Sequence, residues 1–266
     1  MNNFLEIAVD AAREAGSNLR NEFDGPKKIS YKGDVDIVTE SDKRSEAIIV
    51  SKLRSHFPQH AIVAEEGGRG GVEGAKWCWH VDPLDGTTNF AHSYPCFAVS
   101  IGLVEDGEPV VAVVLNPVTN ELFTAMRGEG AYLDHKRIHV SPIEKLATSL
   151  VSTGFPTHQR DSNRNIYYYW EFTLRSHGVR RDGSAALDLC SVACGRFDGF
   201  WEFGLHSWDT AAGMLIVREA GGVVTDLAGL PYRPGGPSIL ATNGHIHSEM
   251  QDVSAHIAER AASAPL

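Results

Sequence analysis

The densest group of chemically useful residues is the run Asp82-Pro83-Leu84-Asp85-Gly86-Thr87-Thr88. Two carboxylates stand three residues apart, and a glycine and two hydroxyl residues follow them. Pro83 restricts the backbone, whereas Gly86 permits a turn that other residues resist. Oxygen ligands aimed at one point would suit a hard divalent cation such as Mg²⁺, and exposed amides after Gly86 would suit a phosphate. Taken alone, the run is equally compatible with a solvated surface turn.

Further carboxylates stand at the ends of other predicted elements. Glu65 and Glu66 end a short apolar strand, Asp209 opens a predicted helix, and Asp42 lies in the helix entry Thr39-Glu40-Ser41-Asp42. An isolated acidic residue at a helix start is usually only a cap. The joint pattern, in a chain with no basic phosphate-binding motif, favours one acidic site assembled from several elements.

The overall charge fits a site that needs a cation. The 266 residues include 24 Lys and Arg against 34 Asp and Glu, giving a formal net charge of −10. This excess argues against nucleic acid or an anionic membrane surface as the main partner. An anionic substrate would therefore need positive charge supplied locally, and a bound metal ion is the obvious source.

Four cysteines, at positions 78, 96, 190 and 194, form no CxxC pair and are interpreted as small core residues. No apolar run approaches the roughly 18 residues of a membrane span. The N-terminal residues carry no basic leader segment. We therefore expect a protein of the cytoplasm without a membrane partner.

Helices and antiparallel strands follow one another along the chain, which predicts a layered α/β or α+β fold. No GxGxxG follows a strand, so a doubly wound dinucleotide-binding fold loses its main support. The glycine-rich stretch Gly67–Gly74 is expected to be a mobile loop. The other predicted elements are helices at 3–22, 39–57, 162–176, 184–194, 208–220 and 245–260, and strands at 61–64, 79–81, within 97–124 (three strands), 150–152, 198–202 and 223–225.

Four runs in this sequence resemble motifs of the inositol monophosphatase family, in the family's order and with similar spacing. They are Asp36–Asp42, Glu65-Glu66, Trp79–Phe90, and Trp208–Gly213 followed by Glu219–Gly222. The resemblance extends from about residue 5 to residue 255. It implies a lithium-sensitive, Mg²⁺-dependent phosphate monoester hydrolase with a layered αβαβα fold, commonly a homodimer. It also implies a single domain over 1–266, with lobes at about 1–147 and 148–266.

The resemblance implies a role for each matching position. A first Mg²⁺ would be held by Glu65, Asp82 and the Leu84 carbonyl, a second by Asp82, Asp85 and Asp209, and a weaker third would lie near Glu65. Glu65 and Thr87 would orient the attacking water, with Asp42 hydrogen-bonded to the Thr87 hydroxyl. The remaining substrate-binding positions are Asp85, Gly86, Thr87, Gly183, Ser184, Ala185, Glu202 and Asp209.

Several alternatives keep the phosphatase chemistry and change the substrate. Related families cleave fructose 1,6-bisphosphate, histidinol phosphate, adenosine 3′,5′-bisphosphate or other nucleotide phosphates. Glu202 and the run at 204–209 favour the inositol branch, because a carboxylate facing sugar hydroxyls disfavours a second phosphate there. A different class of function is a bacterial regulatory protein that binds the transcription machinery.

Two surface features have simpler interpretations. The run Tyr167–Trp170 is expected to be core or a dimer contact rather than a platform for stacking. Arg180 and Arg181 could assist an anionic substrate or only pair with Asp182, and the pairing is the favoured interpretation.

Overall fold

The computed structural model describes residues 2–26, 29–32, 36–155 and 163–263. The helices are α1 (Asn2–Phe23), α2 (Glu40–His56), α3 (Thr87–Ala91), α4 (Asn165–Arg175), α5 (Ala185–Ala193), α6 (Ser207–Glu219) and α7 (His247–Ser263). The strands are β1 (Ile29–Lys32), β2 (Asp36–Thr39), β3 (Ala61–Ala64), β4 (Gly68–Gly71), β5 (Trp77–Asp85), β6 (Ala98–Glu105), β7 (Glu108–Asn116), β8 (Glu121–Met126), β9 (Gly130–Leu133), β10 (Lys136–Arg137), β11 (Leu150–Thr153), β12 (Gly178–Arg180), β13 (Gly199–Phe203), β14 (Val223–Thr225) and β15 (Ser238–Thr242).

Two sheets carry most of the described structure. The larger has eight strands in the order β10-β9-β8-β7-β6-β5-β3-β4, and the smaller has five in the order β12-β11-β13-β15-β14. Strands β5 to β10 form an antiparallel meander, whereas β3 pairs with β5 in parallel. Strands β1 and β2 form a separate antiparallel pair.

Helices separate and cover the two sheets. Helices α1 and α2 pack on the outer face of the larger sheet, and α5 and α6 lie between the sheets. Helices α4 and α7 cover the far face of the smaller sheet. The order is therefore helix, sheet, helix, sheet, helix, which confirms the predicted αβαβα sandwich.

The outer helices form because their apolar residues recur at helical spacing. In α1, the alanines at positions 8, 11, 12 and 15 are fully buried against the larger sheet. Helix α2 begins with the predicted capping arrangement, in which the Thr39 side chain accepts a hydrogen bond from the Ser41 backbone and Asp42 reaches back to the Thr39 N–H. A cap of this kind fixes where the helix starts, and hence where Asp42 lies.

Two expectations about loops and strands are corrected. Gly67–Gly74 is not only a loop, because Gly68–Gly71 forms β4 and pairs antiparallel with β3 at the sheet edge. The meander continues past residue 124 into β9 and β10, and β1, β2, β12 and β15 were not predicted. Short strands such as β10, with only two residues, carry too little alternation to be recognised.

The predicted helices all occur, with ends shifted by a few residues. The helix predicted over 162–176 begins at Asn165, and residue 162 lies outside the described residues. Among the described residues, no helix combines the length and apolar character that crossing a bilayer requires.

Candidate active site

One cavity of about 200 Å³ collects most of the predicted site residues. It opens where β3, β5 and β13 meet the first residues of α3, α5 and α6. Its acidic lining residues are Glu65, Asp82, Asp85, Asp188, Glu202 and Asp209. The other lining residues are Leu84, Thr87, Gly154, Phe155, Arg181, Gly183, Ser184, Ala185, Gly204, Leu205, His206 and Trp208.

A β-bulge in β5 directs Asp82 and Asp85 towards this cavity. Asp82 pairs with Ser100 of β6 and Asp85 pairs with Ala98, so three steps along β5 match two steps along β6. In a regular strand, residues three apart point to opposite faces, and one extra residue restores them to the same side. Both aspartates are nearly buried, at 2% and 9% exposed. The strand therefore continues through the segment where the sequence predicts only a turn.

Glu65 reaches the same point from the neighbouring strand. Strands β3 and β5 are parallel, with Ala64 opposite Val81, and the Glu65 N–H donates to the Val81 carbonyl at 3.2 Å. Glu65 and Asp82 consequently leave adjacent strands at the same edge of the sheet. On the other side, the buried Glu46 accepts a hydrogen bond from the Glu66 N–H at 2.8 Å and fixes the backbone after β3.

The turn that follows β5 depends on a glycine. Gly86 has φ +93°, a conformation that costs a residue with a side chain about 1 kcal/mol or more. A Cβ at this position would also lie 2.9 Å from the Cys96 carbonyl oxygen. Gly86 precedes α3 and allows Thr87 to begin that helix directly after Asp85.

A buried hydrogen-bond chain holds the Thr87 hydroxyl. The Thr87 Oγ1 lies 2.8 Å from Asp42 Oδ1 and 3.0 Å from the Leu84 carbonyl oxygen, and its single proton can go to either acceptor. The other carboxylate oxygen, Asp42 Oδ2, accepts from the Thr39 N–H at 2.8 Å and from the Thr39 hydroxyl at 2.5 Å. Asp42 is 0% exposed, so α2 supplies a rigid acceptor behind Thr87.

Helix α6 brings Asp209 from the second half of the chain. The Asp209 Oδ2 accepts from the His206 N–H at 2.6 Å, a cap that fixes the first turn of the helix. His80, on β5, lies with its Nδ1 2.8 Å from the Ser207 hydroxyl. This contact joins the strand that carries Asp82 to the helix that carries Asp209. Burial lowers the pKa of His80 to about 4, so the ring is neutral near pH 7.

Helix α5 contacts Asp85 from the opposite side. The Asp85 Oδ2 accepts from the Ser184 hydroxyl at 2.5 Å and from the Ala186 N–H at 2.8 Å. Ser184 also caps α5. The carboxylate on β5 is thus tied to the start of a helix about 100 residues later in the chain, which sets the width of the cavity between the two halves.

The carboxyl groups of the cavity raise one another's pKa. Burial raises the pKa of Asp82 well above its usual value, and the charges of Glu65, Asp85 and Asp209 add to this. Burial also raises the pKa of Asp85 to about 7. The hydrogen bond from Ser184 lowers this pKa, and the charge of Asp209 raises it. Each of these carboxylates destabilises the charged form of the others, so a bound cation would stabilise all of them in their charged forms.

Glu202 lies on β13 at the inner end of the cavity. Burial and the charges of Asp209 and Asp85 raise its pKa well above the usual value, while Arg181 lowers it. Its carboxyl group occupies the space where a Cβ of Gly154 would be, within 2.2 Å of that position. Only glycine at position 154 therefore leaves room for the Glu202 carboxyl as it stands.

The donor set of the cavity fits a hard divalent cation. Glu65, Asp82, Asp85 and Asp209 supply carboxylate oxygens, and Leu84 supplies a backbone carbonyl. Within the described ranges, no group of three or more Asp, Glu, His or Cys side chains stands ready-made to hold a metal ion. Several of these oxygens instead accept hydrogen bonds from neighbouring groups, as at Asp82, where Oδ1 accepts from the Leu84 N–H at 3.0 Å. A carboxylate oxygen that accepts one hydrogen bond still has a second lone pair to offer a cation, so these contacts leave the donor set available.

Most of the predicted site residues line this cavity, and the two exceptions lie beside it. Asp42 stands behind Thr87, and Gly86 forms the turn between Asp85 and Thr87. The metal-binding and substrate-binding roles of all these residues remain predictions.

Four residues that line the cavity were not among the site residues predicted from the sequence: Gly154, Phe155, Arg181 and Asp188. Nothing in the sequence marks Gly154, because its contact with Glu202 joins distant segments. The expected pairing of Arg181 with Asp182 is not among the ion pairs of the described residues, and the Arg181 Nη2 instead donates to the Phe155 carbonyl at 3.4 Å.

Both the sequence and the fold are similar to those of known proteins. The model of the inositol monophosphatase family matches residues 1–263. An inositol-1-monophosphatase of Synechocystis sp. is 47% identical over 95% of this chain and 88% of its own length. A protein of Vibrio cholerae named Nus factor SuhB is 44% identical over the whole of both chains. The structure of an inositol monophosphatase from Anabaena (Nostoc) sp. superposes with a TM-score of 0.87 at 42% identity, covering 96% of each chain.

Proposed function

This chain belongs to the inositol monophosphatase family, and from that premise we propose that it hydrolyses inositol monophosphates to inositol and phosphate with Mg²⁺. The observation that carries the proposal is the single cavity in which Asp82, Asp85 and Thr87 meet Glu65 and Asp209. Uncatalysed phosphate monoester hydrolysis is extremely slow, and enzymes accelerate it by up to about 10²¹-fold. An acidic cavity of this kind suits that reaction only if cations neutralise the carboxylates and the phosphate.

We assign two Mg²⁺ ions, with a weaker third, to the cavity. Glu65, Asp82 and the Leu84 carbonyl would hold the first ion, and Asp82, Asp85 and Asp209 the second. Bound Mg²⁺ supplies charge neutralisation for the phosphate and lowers the pKa of a coordinated water. Asp82 is the natural shared ligand, because β5 and its bulge direct it between Glu65 and Asp85.

Thr87 and Glu65 orient the attacking water in this proposal. When the Thr87 hydroxyl donates a hydrogen bond to Asp42 Oδ1, its oxygen keeps lone pairs that can accept a hydrogen bond from the water. Asp42 keeps this orientation because Thr39 holds its other oxygen. The water oxygen forms a bond to phosphorus as the bond to the alcohol oxygen breaks, and one proton passes overall from the water to the alcohol.

The remaining polar groups divide between the phosphate and the alcohol. The amides of Gly86 and Thr87, at the first turn of α3, are assigned to the phosphate. Glu202, Asp209 and Asp85 face the alcohol hydroxyls, together with the segment Gly183–Ala185. An acidic wall accepts hydrogen bonds from hydroxyl groups and repels a second phosphate, which favours a polyol over a bisphosphate.

The test is phosphate release from a panel of substrates by the purified protein. Inositol 1-phosphate is measured beside fructose 1,6-bisphosphate, histidinol phosphate, adenosine 3′,5′-bisphosphate and 2′-AMP, with and without Mg²⁺. We expect Mg²⁺-dependent activity that is highest on inositol 1-phosphate and is inhibited by millimolar Li⁺. Equal turnover of all these substrates would reduce the assignment to a broad sugar-phosphate and nucleotide phosphatase.

We propose a homodimer for the cytoplasmic enzyme, with helix α4 as the contact surface. Its outer face exposes Ile166, Tyr167, Trp170 and Leu174, and Trp170 and Leu174 are both 64% exposed. Tyr168, in contrast, is buried in the core against Phe203. An exposed apolar stripe of this kind is typical of a protein–protein interface.

A second candidate function is association with the transcription machinery. The observation that favours it is the 44% identity, over both whole chains, to the Vibrio cholerae protein named Nus factor SuhB. The same α4 face could serve a protein partner, whereas the net charge of −10 disfavours direct RNA binding. Pull-down of transcription proteins by a variant lacking Asp82, Asp85 and Asp209 would establish this role independently of catalysis.

A further inference from the structure

Asp188, in the first turn of α5, is an acidic residue of the cavity without an assigned role. Its side chain is 2% exposed, and among the residues that the structure describes, none forms a hydrogen bond of ordinary geometry with its Oδ2. It lines the same cavity as Glu202 and Ser184. Asp82, which the proposed function assigns to the metal ions, lines the same cavity and is equally buried, at 2% exposed.

An unpartnered buried carboxyl group destabilises a folded protein. Removing such a group from water without a compensating hydrogen bond is unfavourable, and more so when the group is charged. The neighbouring hydroxyl of Ser152, which is fully buried, interacts with Asp188 and lowers its pKa, but within the described residues the contact lacks the geometry of a full hydrogen bond. Asp188 lines the cavity and Ser152 does not, so the Asp188 carboxyl is the member of this pair that a bound ligand could reach.

The charges around Asp188 decide what kind of ligand that is. Burial raises the pKa of Asp188 well above the usual value, and the charges of Asp182, Glu202 and Asp85 add to this. Among the cavity-lining residues that the structure describes, Arg181 is the only arginine or lysine. An anionic group would be repelled here. A neutral hydroxyl group suits the position, because it donates to a carboxylate and accepts from a protonated carboxyl.

We propose that Asp188 is a specificity-determining residue that binds a hydroxyl group of the substrate's alcohol portion, remote from the phosphate that is cleaved. This inference rests on the proposed polyol phosphatase function and deepens it. Glu202 and Asp188 together would form a two-carboxyl wall that recognises a ring bearing several hydroxyl groups. A substrate without those hydroxyls leaves Asp188 unpartnered and gains nothing from it.

The test compares two substrates that share a six-membered ring. Inositol 1-phosphate carries the ring hydroxyls and cyclohexyl phosphate lacks them, and kcat and KM are measured for both at saturating Mg²⁺. The variants are Asp188→Ala, which removes the carboxyl, and Asp188→Asn, which keeps its shape and part of its hydrogen bonding. Asp182→Asn is the matched control, because it removes a neighbouring charge from a residue that does not line the cavity.

We expect Asp188→Ala to lower kcat/KM for inositol 1-phosphate about 10- to 100-fold, chiefly through KM, since a remote contact present in both ground and transition states is lost. Activity on cyclohexyl phosphate should change less than about twofold. The kcat/KM of Asp188→Asn for inositol 1-phosphate should lie between those of the wild type and the alanine variant. Its melting temperature should be no lower than that of the wild type. Asp182→Asn should leave the ratio of the two substrates unchanged.

Three results would overturn the proposal. Equal losses on both substrates in Asp188→Asn, together with a lower melting temperature, would show a purely structural role. A shift in the Mg²⁺ concentration for half-maximal activity would show that Asp188 acts on the metal ions. A wild-type protein that hydrolyses cyclohexyl phosphate as well as inositol 1-phosphate would refute the polyol function itself, and this is seen before any variant is made.

Discussion

Replacing Gly154 by alanine tests how tightly the Glu202 carboxyl is held. The new Cβ would lie 2.2 Å and 2.3 Å from the two carboxyl oxygens of Glu202, whereas real Cβ contacts are essentially never shorter than 3.0 Å. The carboxyl must therefore retreat by about 0.8 Å. It cannot retreat with its backbone, because β13 lies between β11 and β15 inside the smaller sheet.

A displacement near 1 Å of a group that orients the substrate costs up to about 100-fold in rate. We expect Gly154→Ala to lower kcat/KM for inositol 1-phosphate about 10- to 100-fold. Gly178→Ala, on β12 of the same sheet, is the matched control, since its Cβ would meet nothing closer than 3.3 Å. Phosphate release is measured for both, and thermal melts check that both fold.

A double-mutant cycle shows whether Gly154 acts through Glu202. After Glu202→Ala has removed the carboxyl, the additional change Gly154→Ala should cost little, because nothing remains to be displaced. Wild-type efficiency in the single Gly154→Ala variant would refute the steric reasoning. Additive losses in the double variant would show that Gly154 acts by another route.

Three further predictions concern other parts of the chain. Thr87→Ala should lower kcat about 100-fold, whereas Thr87→Ser should keep most of the wild-type kcat, because serine retains the hydroxyl that donates to Asp42. Equal losses of kcat in the two variants would contradict this. Burial lowers the pKa of His247 below its usual value of 6.5 in the folded state. As the pH drops below about 6.5, the unfolded state therefore binds a proton at this residue more readily than the folded state does. The free energy of unfolding falls as a result. Urea unfolding at pH 7.5 and 5.5 should show a smaller decrease in His247→Gln, and an equal decrease would refute the assignment. Trp170→Glu should convert the proposed homodimer to a monomer in sedimentation without abolishing folding, and an unchanged mass would exclude α4 as the interface.

Local signals in the sequence predicted much of this architecture. The alanine stripe of α1 and the Thr39–Asp42 cap depend on residues within one or two helical turns, and both are found where expected. The run from Asp82 to Thr87 alone was equally compatible with a surface turn, and its combination with Glu65 and Asp209 is what predicted one acidic site; these residues do line one cavity. Signals of this kind depend only on residues close together in the sequence, so they can be recognised without knowing which segments pack together.

The features that the sequence did not predict depend on contacts between distant segments of the chain. The sequence did not indicate that a bulge, rather than a turn, brings Asp82 and Asp85 to one side, because a bulge is defined by pairing with β6. It did not indicate the closeness of Gly154 to Glu202, which are 48 positions apart. Asp188 looked like an ordinary acidic residue in the first turn of a helix, where the helix dipole favours one. Only the folded chain shows that its carboxyl lines the cavity and that, within the described residues, its Oδ2 lacks a hydrogen bond of ordinary geometry.

The most direct test of the central claim is the Mg²⁺ dependence of inositol 1-phosphate hydrolysis, measured on chelator-treated protein beside the variant Asp209→Asn. The wild type should be inactive without a divalent cation and recover as Mg²⁺ is added. Asp209→Asn should fold with a similar melting temperature and lose turnover by orders of magnitude at every Mg²⁺ concentration. Activity that persists without a divalent cation, or a variant close to the wild type, would contradict the account of a metal-assisted phosphatase built on these carboxylates.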